Sequence, residues 1–282
     1  HRVDRRQRQM CIRDRHVCII LILLIEMKRE KKILSKEVIS WAFYDWANSA
    51  FATTVMAGFF PLFFKSFWAS NLTDAESTGM LGIANSLSGL LIVLIAPFLG
   101  AVADITFKKK YLLVFFMIIG TGSTASFFLI QQGDWILAMS AYIFACIGFS
   151  GGNIFYDSLI INVSSEQSRN KVSAFGYAMG YLGGGLLFVL NVFMYLQPAV
   201  FGLASQVDAI LFSFLSVAVW WSFFTLPLIR HVKEKSGLFE KTSSINLIKK
   251  SFFRVVQTFR EIREYKNLFY FLIAYWLYMD GI

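Results

Sequence analysis

The stretch TGMLGIANSLSGLLIVLIAPFLGAV, residues Thr78–Val102, contains no charged side chain. An α-helix rises 1.5 Å per residue, so about 20 apolar residues cross the roughly 30 Å hydrocarbon core of a bilayer. Thr78–Val102 is therefore long enough to span a membrane. Five other runs meet the same condition: Trp41–Phe64, Tyr111–Ile130, Trp135–Ile161, Val172–Leu196 and Val207–Ile229. A shorter apolar run, Leu268–Ile282, follows them. The sequence thus predicts an all-α polytopic membrane protein.

The overall composition agrees with this prediction. Hydrophobic residues make up 56% of the chain, charged residues only 16%, and the mean hydropathy is +0.57. Soluble domains carry about 25% charged residues. The net charge is +9, and nucleic-acid-binding proteins are also strongly basic. Here, however, the basic residues lie in loops between apolar runs rather than on one face of a folded domain. We therefore expect no nucleic-acid partner.

Basic residues occur on alternate loops. They cluster in 27–40, in Lys108–Lys110, at Arg169 and Lys171, and in 230–266, whereas the other loops carry only Lys65. Loops rich in lysine and arginine stay on the cytoplasmic side of a membrane. We expect an integral protein of a bacterial cytoplasmic membrane, with its N-terminus inside.

The chain divides into five segments by composition. His1–Arg15 resembles translated adaptor sequence, and Val17–Ile25 is too short to span a membrane, so we expect the natural chain to start at Met27. We also expect the chain to continue beyond Ile282, because the last apolar run would otherwise end within the bilayer. The predicted segments are a doubtful leader (1–26), a cytoplasmic tail (27–40), a six-helix bundle (41–229), a basic cytoplasmic linker (230–266) and the truncated start of a seventh membrane helix (267–282).

The linker has a helical period. Apolar residues recur in it every three or four positions, with lysines and arginines between them, which predicts an amphipathic helix on the anionic inner leaflet. A solvated charged linker is the alternative. The apolar positions are Ile245, Ile248, Phe252, Val255, Phe259 and Ile262.

Two pairs of polar residues lie inside predicted membrane helices. Asp45 and Asn48 share one face of the first helix, and Asn153 and Asp157 share one face of the fourth, because residues three or four apart are neighbours on a helix. Ionisable side chains are costly in a membrane and usually face a cavity or a partner. The helical rise places Asp45 on the order of 6 Å inside the cytoplasmic edge. These four residues are our candidates for a solute or proton pathway, although Asp45 reaching the headgroups beside Trp41 is an alternative.

The loop between the second and third runs reads GAVADITFKKK, Gly100–Lys110. It resembles the signature G-x-x-x-D-R-x-G-R-R/K of the major facilitator superfamily, except that Ile105 and Phe107 replace its arginine and second glycine. The resemblance implies a cytoplasmic gating network, in which Arg169 of the next cytoplasmic loop would pair with Asp104. An ordinary positively charged loop is the alternative. The expected network comprises Gly100, Asp104, Lys108, Lys109, Glu166 and Arg169.

Three further stretches narrow the resemblance. WAFYDWANSAF (Trp41–Phe51), RNKVSAFGYAMGYLGGG (Arg169–Gly185) and FLIAYWLYMDG (Phe271–Gly281) are similar to the "unknown major facilitator" group, which includes autophagy-related vacuolar amino-acid effluxers. The resemblance implies the six-helix N-terminal bundle of a twelve-helix fold, with a C-terminal half as its partner and no cofactor. The implied activity is secondary active transport of a small polar solute by alternating access, with amino-acid efflux the best-known case.

The fifth apolar run carries glycines four residues apart: Gly176, Gly180 and Gly184. Small residues at this spacing let membrane helices pack closely. The run also resembles an antiporter motif, with Tyr181 in place of its proline. A packing face and a gating hinge are both open interpretations.

An enzyme is the main alternative class. Gly148–Gly152 (GFSGG) fits the nucleophile motif of rhomboid-like serine proteases, which need a histidine on a later membrane helix. His1, His16 and His231 all lie outside the apolar runs, so we expect a glycine-rich helix contact and no enzymatic activity. Cys146 is alone in its apolar run and Cys11 and Cys18 lie in the doubtful leader, so the cysteines imply no metal site. A membrane scaffold that transports nothing is a further alternative.

Overall fold

A computed structural model describes residues 34–106, 108–234, 253, 257 and 266–280, without the side chains of 101–106 and of some positions in 266–280. Within these residues, six helices are long and apolar enough to cross a membrane, and each contains or overlaps one predicted run. They are α1 (Lys36–Trp68), α2 (Asp74–Thr106), α3 (Lys109–Ser126), α4 (Trp135–Val163), α5 (Arg169–Leu196) and α6 (Gln206–His231), followed by α7 (Lys266–Asp280). The predicted all-α membrane fold is confirmed. The predicted linker helix lies almost entirely outside the described residues.

Several helices begin before the apolar run that they contain, because their first turns are fixed by polar caps. The Ser35 hydroxyl accepts a hydrogen bond from the backbone N–H of Val38 (3.3 Å), so α1 starts at Lys36 rather than at the predicted Trp41. Thr73 and Glu76 form a reciprocal capping box at the start of α2. Hydropathy alone does not detect these turns.

α1 changes its helical form along its length. It is α-helical over Lys36–Ala50, π-helical over Phe51–Phe59, α-helical over Phe60–Phe63 and π-helical again over Phe64–Trp68. Pro61 has no N–H, so it cannot pair with the carbonyl one α-turn earlier. Thr53 donates its hydroxyl to the Ser49 carbonyl and to the Gly184 carbonyl of α5, both at 3.1 Å. These two features disturb the α-helical ladder where the π-helix lies.

The interior of the bundle consists of two apolar clusters rather than one. One cluster surrounds Phe60, Trp68 and Phe214, and the other, a separate set of buried side chains, surrounds Trp41, Tyr44 and Phe155. On α1 the clusters meet between Tyr44 and Ala47, and on α4 they meet between Cys146 and Phe155. The glycines and polar side chains near this boundary form what we call the polar seam: Asp45, Asn48, Ser49, Gly148, Gly151, Gly152 and Asn153.

Candidate functional site

Asn48 and Asn153 join α1 to α4 at the polar seam. The side-chain amide of Asn48 donates a hydrogen bond to the side-chain carbonyl of Asn153, and Asn48 is only 1% exposed. An amide buried in this way needs such a partner, since an unsatisfied buried polar group costs about 1–3 kcal/mol. The structure therefore brings together two residues that the sequence pattern placed on separate helices.

Asp45 lies beside this pair on α1. Its carboxylate accepts a hydrogen bond from the Ser49 hydroxyl (3.1 Å), one turn further along the helix, and its side chain is half-buried. Asp157, on α4, interacts electrostatically with Asp45 and has an exposed side chain. Asp45, Asn48, Asn153 and Asp157 thus form a polar group on neighbouring helices, with Asp157 at its open side.

The predicted glycine face of α5 packs against α1 at this position. A Cβ added at Gly180 would lie 2.7 Å from the Ser49 hydroxyl oxygen and 2.9 Å from a carboxylate oxygen of Asp45. A Cβ at Gly184 would lie 2.9 Å from the Ser49 carbonyl, and one at Gly176 would lie 2.7 Å from the Trp41 ring. The glycines therefore bring the α5 backbone directly over the polar residues of α1.

Sequence reasoning missed an aromatic stack next to the polar group. The Trp41 and Tyr156 rings stack with centroids 4.3 Å apart, and Tyr44 stacks on Tyr156 at 5.2 Å. The Trp41 indole N–H also donates to the Tyr156 backbone carbonyl at 3.0 Å. The sequence offered one signal, which is the position of Tyr156 directly before Asp157. It could not show the stack itself, because Trp41 and Tyr44 of α1 are far from Tyr156 in the sequence.

The Gly148–Gly152 motif lies in a helix contact. A Cβ at Gly148 would overlap the Gly120 backbone of α3, and one at Gly151 would overlap the Phe116 ring. Gly152 faces the hydroxyl of Tyr44. These contacts explain why α4 needs glycines here, and they support the packing interpretation rather than a nucleophile.

The structure describes the cytoplasmic motif residues only in part. The Asp104 side chain lies outside the described residues, and Glu166 is exposed. The Nε atom of Arg169 is buried and has no hydrogen-bond partner among the described residues. Lys108 places its ammonium 6.0 Å from the centre of the Tyr111 ring. The Asp104–Arg169 pair remains a prediction.

A contact that the sequence did not indicate joins α3 to α6, and we call it the α3–α6 bracket. The Glu234 carboxylate accepts hydrogen bonds from the backbone N–H groups of Lys109 (3.1 Å) and Lys110 at the start of α3. The Lys110 ammonium donates to the carbonyls of Ile229 (2.9 Å) and Val232 (2.7 Å) at the end of α6. Each charged group caps the opposite helix with the sign that its dipole favours.

The described residues offer no site for a metal: no three His, Cys, Asp or Glu side chains among them lie close enough together to hold one. The arrangement places both hydrogen-bond donors and hydrogen-bond acceptors inside a membrane-spanning bundle. Ionisable groups inside a membrane usually face a cavity or a partner.

Residues 72–161 and 161–282 match the family described as "Vacuole effluxer Atg22 like". The chain belongs to this family. It is also 37% identical over 258 residues to YxiO of Bacillus subtilis (strain 168), described as an uncharacterised MFS-type transporter. Autophagy-related protein 22 of Eremothecium gossypii is 22% identical over 304 residues. The predicted membership of the major facilitator superfamily is confirmed.

Solved structures support the fold. The proton:xylose symporter XylE, bound to a deoxyglucose derivative, superposes with a TM-score of 0.52 at 18% identity, over 89% of this chain and 56% of XylE. The inward-open structure of XylE from E. coli gives a TM-score of 0.50 at 17% identity. At these identities the similarity establishes a shared fold alone. The described residues have the architecture of the N-terminal half of a major facilitator protein.

The chain spans 58% of the length of YxiO and of the Eremothecium protein, although it aligns over 89% and 90% of its own length. It therefore corresponds to little more than half of each curated relative.

Proposed function

We propose that the full-length protein is a secondary active transporter that moves a small polar solute by alternating access. The observation that carries this proposal is the polar seam, where Asp45, Asn48 and Asn153 lie between two apolar clusters, with Asp157 one turn beyond Asn153 on α4. Solute sites of such transporters lie near the bilayer midplane, between two halves of the fold. The four residues would form the N-terminal half of the pathway.

Energetics support a role for these side chains beyond packing. Asp45 lies on the order of 6 Å inside the cytoplasmic edge, so its charge costs less than the roughly 2.5–3.5 kcal/mol that insertion scales give at the centre of a membrane helix, but it is still unfavourable. Within the described residues, the Asp45 carboxylate accepts one side-chain hydrogen bond, from the Ser49 hydroxyl. Two apolar side chains at these positions would need no such bond. A carboxylate kept at that cost is best explained by contact with a transported solute or proton.

Amino-acid efflux is our proposal for the solute and the direction. The family is described as effluxer-like, and the motif in α1 resembles the group that exports amino acids. Since two of the four polar residues are carboxylates and two are amides, the N-terminal half offers mainly hydrogen-bond acceptors and can recognise an amino group.

The cytoplasmic network, the topology and the second half complete the proposal. Gly100, Asp104 and Arg169 would stabilise one conformation from the cytoplasmic side, and the anionic inner leaflet would attract the basic linker. A C-terminal six-helix half would supply the rest of the solute site. We also propose that the protein lies in a bacterial cytoplasmic membrane with its N-terminus on the cytoplasmic side.

The direct test is an export assay on the full-length protein. Proteoliposomes or cells loaded with a panel of radiolabelled amino acids should release at least one of them faster than vesicles that carry the Asp45→Asn variant. Asp208→Asn is a matched control, because its carboxylate accepts from Ser205 at the start of α6 and lies outside the site. Equal release by all three proteins for every solute would reject the transport proposal.

A further inference from the structure

Tyr156 is held rigidly beside the polar group. Its ring lies between the rings of Trp41 and Tyr44, with centroid distances of 4.3 and 5.2 Å, and it is only 5% exposed. Its backbone carbonyl accepts the Trp41 indole N–H. The ring therefore cannot rotate away without breaking both stacks.

The Tyr156 hydroxyl has no protein partner. It is buried and makes no hydrogen bond within the part of the chain that the structure describes. Nearly all buried hydroxyl groups in proteins are hydrogen-bonded, so an unpaired one calls for an explanation. Packing explains the position of the ring but leaves the orientation of the hydroxyl unexplained.

The hydroxyl points at the same glycine face as the Asp45 carboxylate. A Cβ at Gly176 would lie 2.8 Å from the Tyr156 hydroxyl oxygen, and a Cβ at Gly180 would lie 2.9 Å from a carboxylate oxygen of Asp45. Since Gly176 and Gly180 are four residues apart, the two groups face consecutive turns of α5. Asp157, the next residue after Tyr156 on α4, has an exposed side chain.

Negative charge dominates these surroundings. The carboxylates of Asp45 and Asp157 lie near the Tyr156 side chain without forming a hydrogen bond to its hydroxyl. Among the described residues, no lysine, arginine or histidine side chain bonds to either carboxylate. A ligand group that completes this arrangement must carry N–H donors and a positive charge.

We infer that Tyr156 is a solute-binding residue, and that this half of the site takes the protonated amine end of the solute. The inference rests on the proposed transport function and deepens it. An ammonium group between these two turns could donate to both the Tyr156 hydroxyl oxygen and the Asp45 carboxylate, which face consecutive turns of α5. An acidic end of the solute would be repelled here and would have to bind the other half of the transporter.

The test measures binding to the purified full-length protein with three probes that share one ring. L-phenylalanine has both an ammonium and a carboxylate, 2-phenylethylamine lacks the carboxylate, and 3-phenylpropanoate lacks the ammonium. We expect the amine to bind and the acid to bind at least about tenfold more weakly. Tyr156→Phe keeps both stacks and should raise the Kd of the amine about tenfold, as expected for losing a hydrogen bond to a charged group.

Tyr142→Phe is the matched control. It is a buried tyrosine on the same helix, but its hydroxyl bonds to Asn85 of α2 at 2.9 Å, so its removal should leave the Kd of the amine unchanged. An unchanged Kd in Tyr156→Phe, tighter binding of the acid, or no binding of the amine would each overturn the inference.

Transport assays separate this inference from the proposed function. If the wild-type protein transports a solute without an amino group and does not bind the amine, the inference fails and the transporter proposal stands. If the amine binds in a Tyr156-dependent way but no solute crosses the membrane, the amine site stands and the transport proposal fails.

Discussion

Asp45 is the residue at which the structure and the proposed transport meet most directly. Its carboxylate bonds to Ser49 and touches the α5 backbone at Gly180, so it lies inside the helix packing rather than only at a headgroup boundary. We predict that Asp45→Asn inserts normally but lowers transport by the full-length protein at least about tenfold, or about 1.4 kcal/mol of function. The initial rate of solute flux per inserted protein checks it.

Asp157→Asn should have a milder effect, because the Asp157 side chain is exposed and water can replace lost contacts. A wild-type rate for Asp45→Asn across the whole pH range would mean that Asp45 is an interfacial anchor, as the alternative interpretation holds.

Gly180 gives a second prediction at this scale. Alanine there would place a methyl group 2.7 Å from the Ser49 hydroxyl oxygen, closer than packed atoms approach, so the Ser49 and Asp45 side chains or the two helices must shift. We expect Gly180→Ala to lower the free energy of unfolding by about 1–3 kcal/mol and to reduce transport. Thermal unfolding in detergent measures the first effect.

Gly185→Ala is the control, because a Cβ at Gly185 meets nothing within 4 Å. Both variants gain the same helix propensity from alanine, so their difference isolates the steric effect. Equal unfolding temperatures would show that the glycine face is not a tight contact.

At the scale of whole helices, the α3–α6 bracket predicts that Glu234 stabilises the start of α3. Glu234→Gln removes the charge that caps α3, and because the site is only partly buried we expect a loss of about 1 kcal/mol. Amide hydrogen exchange at Lys109 and Lys110 should become faster. The exposed Glu166→Gln should leave both rates unchanged. Unaltered exchange in Glu234→Gln would contradict the bracket.

The helices also show what the sequence can and cannot predict. The apolar runs predicted all six spans, because a bilayer imposes one length and one composition on each helix. The Glu234–Lys110 contact was missed because it joins residues 124 positions apart that belong to no common motif. The partner of the glycine face could not be named for the same reason: spacing shows that α5 packs closely, but not that α1 is what it packs against.

In the part of the chain that the structure describes, the connecting loops lie at two ends of the bundle. The loop before α4 meets the end of α1 through a bond from the Gly133 N–H to the Phe67 carbonyl (3.2 Å), while the start of α3 meets the end of α6. We predict that cysteines placed at 71, 132 and 206 react with an impermeant reagent in intact cells, whereas cysteines at 109 and 169 react only after permeabilisation. The natural Cys146 is buried and gives little background. Labelling at 109 with none at 71 would invert the topology.

The number of helices gives the last prediction. Residues 27–282 alone should insert into membranes but transport nothing, because half of the solute site would be missing. Flux through proteoliposomes that contain this fragment, compared with the full-length protein at equal density, is the measurement. Flux by the fragment as a monomer would show that one bundle suffices.

The π-helical turns of α1 have a consequence for how this protein can change in evolution. A π-turn holds one residue more than an α-turn, and adding one residue to a helix rotates everything beyond it by about 100°. Because the π-turns already hold an extra residue, deleting one residue within Phe51–Phe59 would let them close to α-helical turns, while Asp45 on one side and Phe63, Phe64 and Trp68 on the other keep their places in the packing. In a regular α-helix the same deletion would turn every later side chain away from its partners. Relatives that differ by one residue in this window can therefore share the packing on both sides of it.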